Sequence, residues 1–146
     1  MSNVFKDSQR FMVSFGQTTN GEDPEQFRLY SDLVHEEGKE LSEALMELQS
    51  LTDVDHDARD QTHANKLLHA TAHLTKETID CIVVLVGLLN SMGVNGSKAW
   101  QAVYDSNMSK LEDGKPVYRA DGKVLKGKDY RPPDMVKVVL ESWGVA

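Results

Sequence analysis

Cysteine, proline and positive charge are all scarce in this sequence, and each scarcity removes a class of protein. The 146 residues contain one cysteine, Cys81, so no disulfide can form within the chain and a reducing compartment fits. Cys81 lies inside the apolar run from Ile79 to Leu89, where a small buried hydrophobe is the ordinary reading. Lys and Arg total 16 against 23 Asp and Glu, a net charge of −7, and such a surface repels polyanions unless its basic groups are gathered in one place. General nucleic-acid binding is therefore not expected. No apolar run reaches half of the roughly 20 residues that a membrane span needs by much. The start, Met1-Ser2-Asn3-Val4-Phe5-Lys6, carries no apolar stretch behind a basic cluster. The expectation is a cytoplasmic protein with no membrane partner.

What is present suits a single globular domain: 40% apolar and 27% charged residues on a chain long enough for one core. Apolar residues Val4, Phe5, Phe11, Met12 and Phe15 fit a short amphipathic helix over 3–15, stopped by Gly16. Asp23-Pro24-Glu25-Gln26 supplies a cap, a proline at the first helical position and a Gln three residues after the cap, so a second helix starts there and runs to about Leu51. Asp53-Val54-Asp55-His56-Asp57 reads as a polar connection. Helix resumes near Ala58, with room for a break, and ends at Gly93. Another helix is predicted from Ser97 to Glu112, ended by Asp113-Gly114, and a last short one over Asp134 to Glu141. Between these two, Gly, Pro and basic residues make a basic loop or small hairpin over 114–134. The expected fold is an all-α bundle of four to five helices forming one domain over 1–146.

On a wheel of about 100° per residue, Leu29, Leu33, Val34, Leu41, Ala44, Leu45 and Leu48 form one stripe, with Glu37 near its middle and Glu40 at its edge. Glu36, Glu43 and Glu47 fall just beyond and read as solvated. A carboxylate directed into a packing face costs several kcal/mol unless it is protonated, paired or bound to metal. Ile79 to Leu89 is apolar on every side apart from Asp80 and Gly87, as in a helix surrounded by others, and Glu77 and Asp80 stand one turn apart at its start. Two carboxylate pairs can thus face each other across a helix interface. Their mutual repulsion is removed by a hard divalent cation, Mg²⁺ or Mn²⁺, which takes oxygen ligands.

Glu36-Glu37-Gly38-Lys39-Glu40 followed by Glu77-Thr78-Ile79-Asp80 resembles the EExxE and ExxD signature of the MazG-like and phosphoribosyl-ATP pyrophosphohydrolase-like superfamily. Asn107-Met108-Ser109-Lys110 is similar to that group's Asn-x-x-Lys element, and Asp121 to Asp134 is similar to the tail of a branch that includes phage-encoded members. The resemblance runs from about Phe11 to Asp134. The stretch between Glu40 and Glu77 is longer than usual for the group, to be taken up either by a longer connection or by extra helical turns.

The resemblance implies an enzyme that hydrolyses a nucleoside triphosphate between its α and β phosphates, with Glu37, Glu40, Glu77 and Asp80 holding Mg²⁺ or Mn²⁺. It implies Glu36 as general base, with Glu37 able to exchange roles with it, and Asn107 and Lys110 as contacts to phosphate or sugar. No GxxxxGK[ST] loop exists, so phosphates must be met by metal and side chains. Lys123, Lys126, Lys128 and Arg131 are then a basic lid over the phosphates; the plainer alternative is a basic surface loop. Likeness to phage members favours (d)GTP, with dUTP, dCTP, abnormal nucleotides or phosphoribosyl-ATP as the other substrates in view. The apolar helix is hard to cover in a small monomer, so a homodimer or homotetramer is expected.

His69 and His73, spaced i and i+4, invite a zinc reading, but no cysteine or placed third ligand completes a set with them or with His63. Trp100, Tyr104 and Tyr30 read as a base platform or as core. None of the five histidines lies three residues after a Glu, which excludes the usual di-iron bundle. The rival outside enzymes is a silent helical oligomer that binds nucleotide or protein.

Overall fold

The computed structural model describes residues 3–53 and 60–145. Five helices are present among them, with no strand beyond two isolated bridges, so the all-α expectation holds. Two compact units are formed, Met1–Met92 and Gly93–Ala146.

In the first unit, α1 (Val4–Ser14) starts on Asn3, whose Oδ1 accepts the amides of Phe5 and Lys6 at 3.1 and 3.2 Å. It buries Met12 completely against the third helix, where Asn90 donates from Nδ2 to Ser8 Oγ at 3.1 Å and approaches Met12 Sδ at 3.4 Å. The second helix, α2 (Pro24–Thr52), starts on Asp23 with Pro24 in the first turn. Gln26 does not close the expected capping box. Its side chain accepts the Thr18 amide at 2.8 Å and donates to the Thr18 carbonyl at 2.6 Å, satisfying a loop whose backbone has no ladder partner.

α3 (Gln61–Ser91) is capped by Asp60 and runs without the break for which the sequence left room; positions 54–59, including the expected restart at Ala58, lie outside the described residues. Gly93, at φ +69°, turns the chain out of it. Along α2 and α3, Tyr30 meets Gly87, Glu37 meets Cys81 and Glu47 meets His73, so the two helices pack antiparallel. Gly87 is required by the closeness of this packing, since a Cβ there would lie 2.0 Å from Tyr30 Cε1. The long stretch between Glu40 and Glu77 is taken up by helix: α2 continues past Glu40 to Thr52, and α3 begins about four turns ahead of Glu77.

The buried seam of α2 is narrower than the predicted stripe. Gln26, Tyr30 and Ala44 are buried and Leu33, Val34, Leu41 and Leu48 half-buried, whereas Leu29 and Leu45 are exposed. Within this unit α2 packs chiefly on α3, which needs only an i, i+3, i+4, i+7 seam. α3 likewise is not surrounded: Ile79, Ile82, Val83 and Leu85 remain 39–52% exposed. Among the described residues this apolar helix therefore keeps one exposed flank, and the neighbours expected to surround it are not all supplied within its unit.

In the second unit, α4 (Gly96–Met108) ends a turn earlier than predicted. Asp113 and Gly114 both have positive φ, 49° and 74°, and form the two-residue turn between Glu112 and Lys115 instead of the helix stop. The chain must leave the helix before Glu112 to enter that turn, and Gly127 N–H then donates to the Lys110 carbonyl at 3.0 Å. A second small hairpin pairs Tyr118 with Val124, matching the expected hairpin in the tail. α5 (Met135–Ser142) packs on α4, with Lys98 Nζ 2.9 Å from Glu141 Oε2.

Candidate metal centre

Because α2 and α3 run antiparallel in the register just given, the turn carrying Glu37 and Glu40 comes opposite the turn carrying Glu77. Carboxylate oxygens of Glu37, Glu40 and Glu77 lie within 4.8 Å of one another. Glu77 is 3% exposed, while Glu37 and Glu40 are half-buried. Glu37 Oε2 and Glu77 Oε2 are both buried with no hydrogen-bond partner. Two ionisable oxygens left bare beside a third carboxylate are costly unless a cation shares them.

The electrostatics agree. Burial pushes the Glu37 carboxyl above its ordinary range, and the neighbouring charges of Glu40, Asp80 and Glu77 push it further, against the pull of Lys76. The Cys81 thiol, which donates to the Glu37 carbonyl at 3.2 Å, is raised by burial and then by the charges of Glu37, Glu77 and Asp80. Asp80 adds its charge to the site but turns its Oδ2 to Lys76 Nζ at 2.8 Å, so it stands one step from the three that converge. Lys76 Nζ also reaches Glu77 Oε1 at 3.0 Å, and these two carboxylates, Asp80 first, hold its ammonium firmly protonated.

The donor set is oxygen only, which suits a hard divalent ion better than zinc or copper. The residues therefore fit such an ion: two orphaned buried oxygens, a third carboxylate beside them and a fourth within a turn.

The other expected site residues are Glu36 on α2 and a group that belongs to the second unit. Glu36 is exposed on the flank of α2. In the second unit, Lys110 stands beyond the end of α4 yet donates from Nζ to Asn107 Oδ1 at 2.7 Å, so these two do come together. Lys126 Nζ sits 4.5 Å from the centre of the Tyr130 ring, Lys128 Nζ is 3.9 Å from Asp113, and Lys123 is exposed next to Asp121. Arg131 donates its amide to Ser109 Oγ at 2.9 Å and lines a cavity of about 920 Å³ with Asp105, Asp134 and Lys137. Tyr30 is core, packed on Gly87, whereas Trp100 and Tyr104 are 64% and 50% exposed.

Three neighbours of the carboxylates escaped the sequence reading. Glu47, read as solvated, lies 2.9 Å from His73 Nδ1, and the other ring nitrogen of His73 lies 3.3 Å from Glu77 Oε1. Lys76 is the third. The signal that could have found them is spacing: His73 stands four residues before Glu77 and Lys76 four before Asp80, each on the same helix face as its partner.

A family model described as phosphoribosyl-ATP pyrophosphohydrolase matches residues 9–107. The matched stretch holds all four carboxylates and Asn107 but ends before Lys110 and the basic tail. No curated protein matches the chain.

Proposed function

This chain belongs to the phosphoribosyl-ATP pyrophosphohydrolase family, a MazG-like all-α group, and from that premise we propose that it is a Mg²⁺- or Mn²⁺-dependent nucleoside triphosphate pyrophosphohydrolase. The observation that carries the reading is the pair of buried, unpartnered oxygens on Glu37 and Glu77 facing Glu40. Glu37, Glu40 and Glu77 hold the cation, and Asp80 joins them when its carboxylate turns from Lys76. A bound divalent cation there offsets the charge of the carboxylates and of a triphosphate together.

The reaction adds water to the α-phosphorus and breaks the bond from that phosphorus to the bridging oxygen, so the nucleoside monophosphate and pyrophosphate leave as separate products. Glu36, exposed beside the ligands, takes the proton of the attacking water. Asn107 with Lys110, and the tail residues Lys123, Lys126, Lys128 and Arg131, supply donors and positive charge to phosphate oxygens. A purine triphosphate of the (d)GTP type is the favoured substrate. The family's own description favours phosphoribosyl-ATP as the second reading.

We further assign a homodimer or homotetramer, because Ile79, Ile82, Val83 and Leu85 form an exposed apolar flank on one helix. A cytoplasmic setting agrees with the family, and no single helix among the described residues is long and apolar enough to cross a membrane.

The test is product analysis by ion-exchange chromatography after incubation with each NTP, each dNTP and phosphoribosyl-ATP in Mg²⁺ or Mn²⁺, with an EDTA control. Monophosphate and pyrophosphate from a triphosphate, abolished by EDTA and by Glu37→Gln or Asp80→Asn, support the reading. Turnover of phosphoribosyl-ATP alone selects the second. No turnover of any of them returns the protein to the silent nucleotide or protein binder.

A further inference from the structure

The two oxygens of the Glu77 carboxylate are not equivalent. Oε1 accepts from Lys76 Nζ at 3.0 Å and has His73 Nε2 beside it at 3.3 Å, while Oε2 has no partner and is buried. His73 is itself held from the other side, its Nδ1 2.9 Å from Glu47 Oε2. Glu47 stands on α2, and His73 and Glu77 one turn apart on α3, so the imidazole links Glu77 to the facing helix. Each ring nitrogen thus faces a carboxylate.

We propose that His73 and Glu47 are positioning residues: the relay Glu47, His73, Glu77 fixes the buried carboxylate so that Oε1 is held away and Oε2 is presented to the divalent cation. This rests on the metal-centre reading above. Lys76 does not do the same work, because its ammonium is divided between Glu77 and Asp80 at the end of a flexible stem. The ring is short, planar and pinned twice. Hydrogen bonds that orient a metal-ligating carboxylate set metal affinity, and their loss weakens it about 10- to 100-fold.

A purely structural role predicts something else. Glu47 and His73 are 52% and 48% exposed at their side chains, and an exposed pair of this kind contributes little to stability. Removing it should move the melting temperature by less than about 5 °C while changing metal uptake strongly.

The experiment is Mn²⁺ titration of the EDTA-stripped full chain, with free Mn²⁺ read by electron paramagnetic resonance, and melting temperature recorded alongside. The wild type binds Mn²⁺ and Glu77→Gln loses it. His73→Ala binds roughly 10- to 100-fold more weakly, and His73→Gln, which keeps one donor, falls between. The double variant of His73→Ala with Glu47→Ala is no weaker than His73→Ala alone, because the two act as one unit. Mn²⁺ affinity of folded His73→Ala within twofold of wild type overturns the proposal; should that variant not fold, His73→Gln decides by the same criterion. A wild type that takes up no Mn²⁺ sinks the metal-centre reading and the relay with it, and the wild-type curve alone tells that failure from the other.

Discussion

Replacing Glu37 by Gln changes the sign of its effect with the metal content of the buffer. The Glu37 oxygen lies within 4.8 Å of those of both Glu40 and Glu77. At an effective dielectric of about 20, two unit charges at that separation repel by about 3.5 kcal/mol, so two such pairs amount to about 7 kcal/mol before any relief. Lys76 offsets part of this, the half-burial of Glu40 screens more, and the raised pKa of Glu37 relieves some by proton uptake. The net gain on neutralising Glu37 without metal is then about 1–3 kcal/mol, or about 4–10 °C in melting temperature for a chain of this length. With Mn²⁺ at about 100 times its dissociation constant, the wild type gains about 2.7 kcal/mol by binding, and the variant, one ligand short, gains little. Scanning calorimetry of both proteins at pH 7.5, in EDTA and in Mn²⁺, should therefore show the variant melting above the wild type without metal and losing that lead with it. A variant that melts below the wild type in EDTA would refute the reasoning, since Glu37 would then be a stabilising partner of some group and not a repelled ligand.

Gly38 lies between the two ligands of α2, and a Cβ there would meet nothing within 4 Å. Gly38→Ala should stabilise the chain by about 0.5–1 kcal/mol, and a lowered melting temperature would show that something else fills the space. At Gly87 the same change meets the Tyr30 ring 2.0 Å away and should cost about 1–3 kcal/mol in urea unfolding; an unchanged midpoint would contradict the close packing of α2 on α3. Metal-free stability should fall as pH rises from 5 to 8. Glu37 is raised above 4.5, so its penalty is absent below that value and complete above its folded pKa. His73, raised above 6.5 chiefly by its bond to Glu47, contributes stability that is present at low pH and lost as pH rises through its folded value. The lowered Asp121 and Glu141 act in the opposite sense only in more acid solution. Melting temperatures that climb from pH 5 to 8 in EDTA would count against both assignments.

The sequence made the helices legible because their signals are local. Asp23-Pro24 opens α2, Gly93 closes α3, and the phase of Glu37 within an apolar stripe pointed to a carboxylate that needs a counter-charge. What it could not show depends on pairing between elements. The width of the α2 seam follows from its packing chiefly on one helix, α3, which no wheel of α2 alone reveals. Gln26 fits a capping box by spacing, yet a loop residue eight positions away competes for its amide. The Asp113-Gly114 pair fits both a helix stop and a tight turn, and the Glu112–Lys115 pairing decides between them. Glu47 and His73 are 26 positions apart in the chain and became partners only when the register of two helices was fixed.

The grip of Gln26 on Thr18 has a kinetic consequence. Both backbone groups of Thr18, a residue in no helix or strand, are held by one side chain that is 6% exposed on the first turn of α2. Its amide should exchange with solvent deuterium far more slowly than the loop around it, and only when the start of α2 lifts away. A single slow signal between two helices thus becomes a natural clock for the opening of α2, readable without any change to the carboxylates further along the same helix.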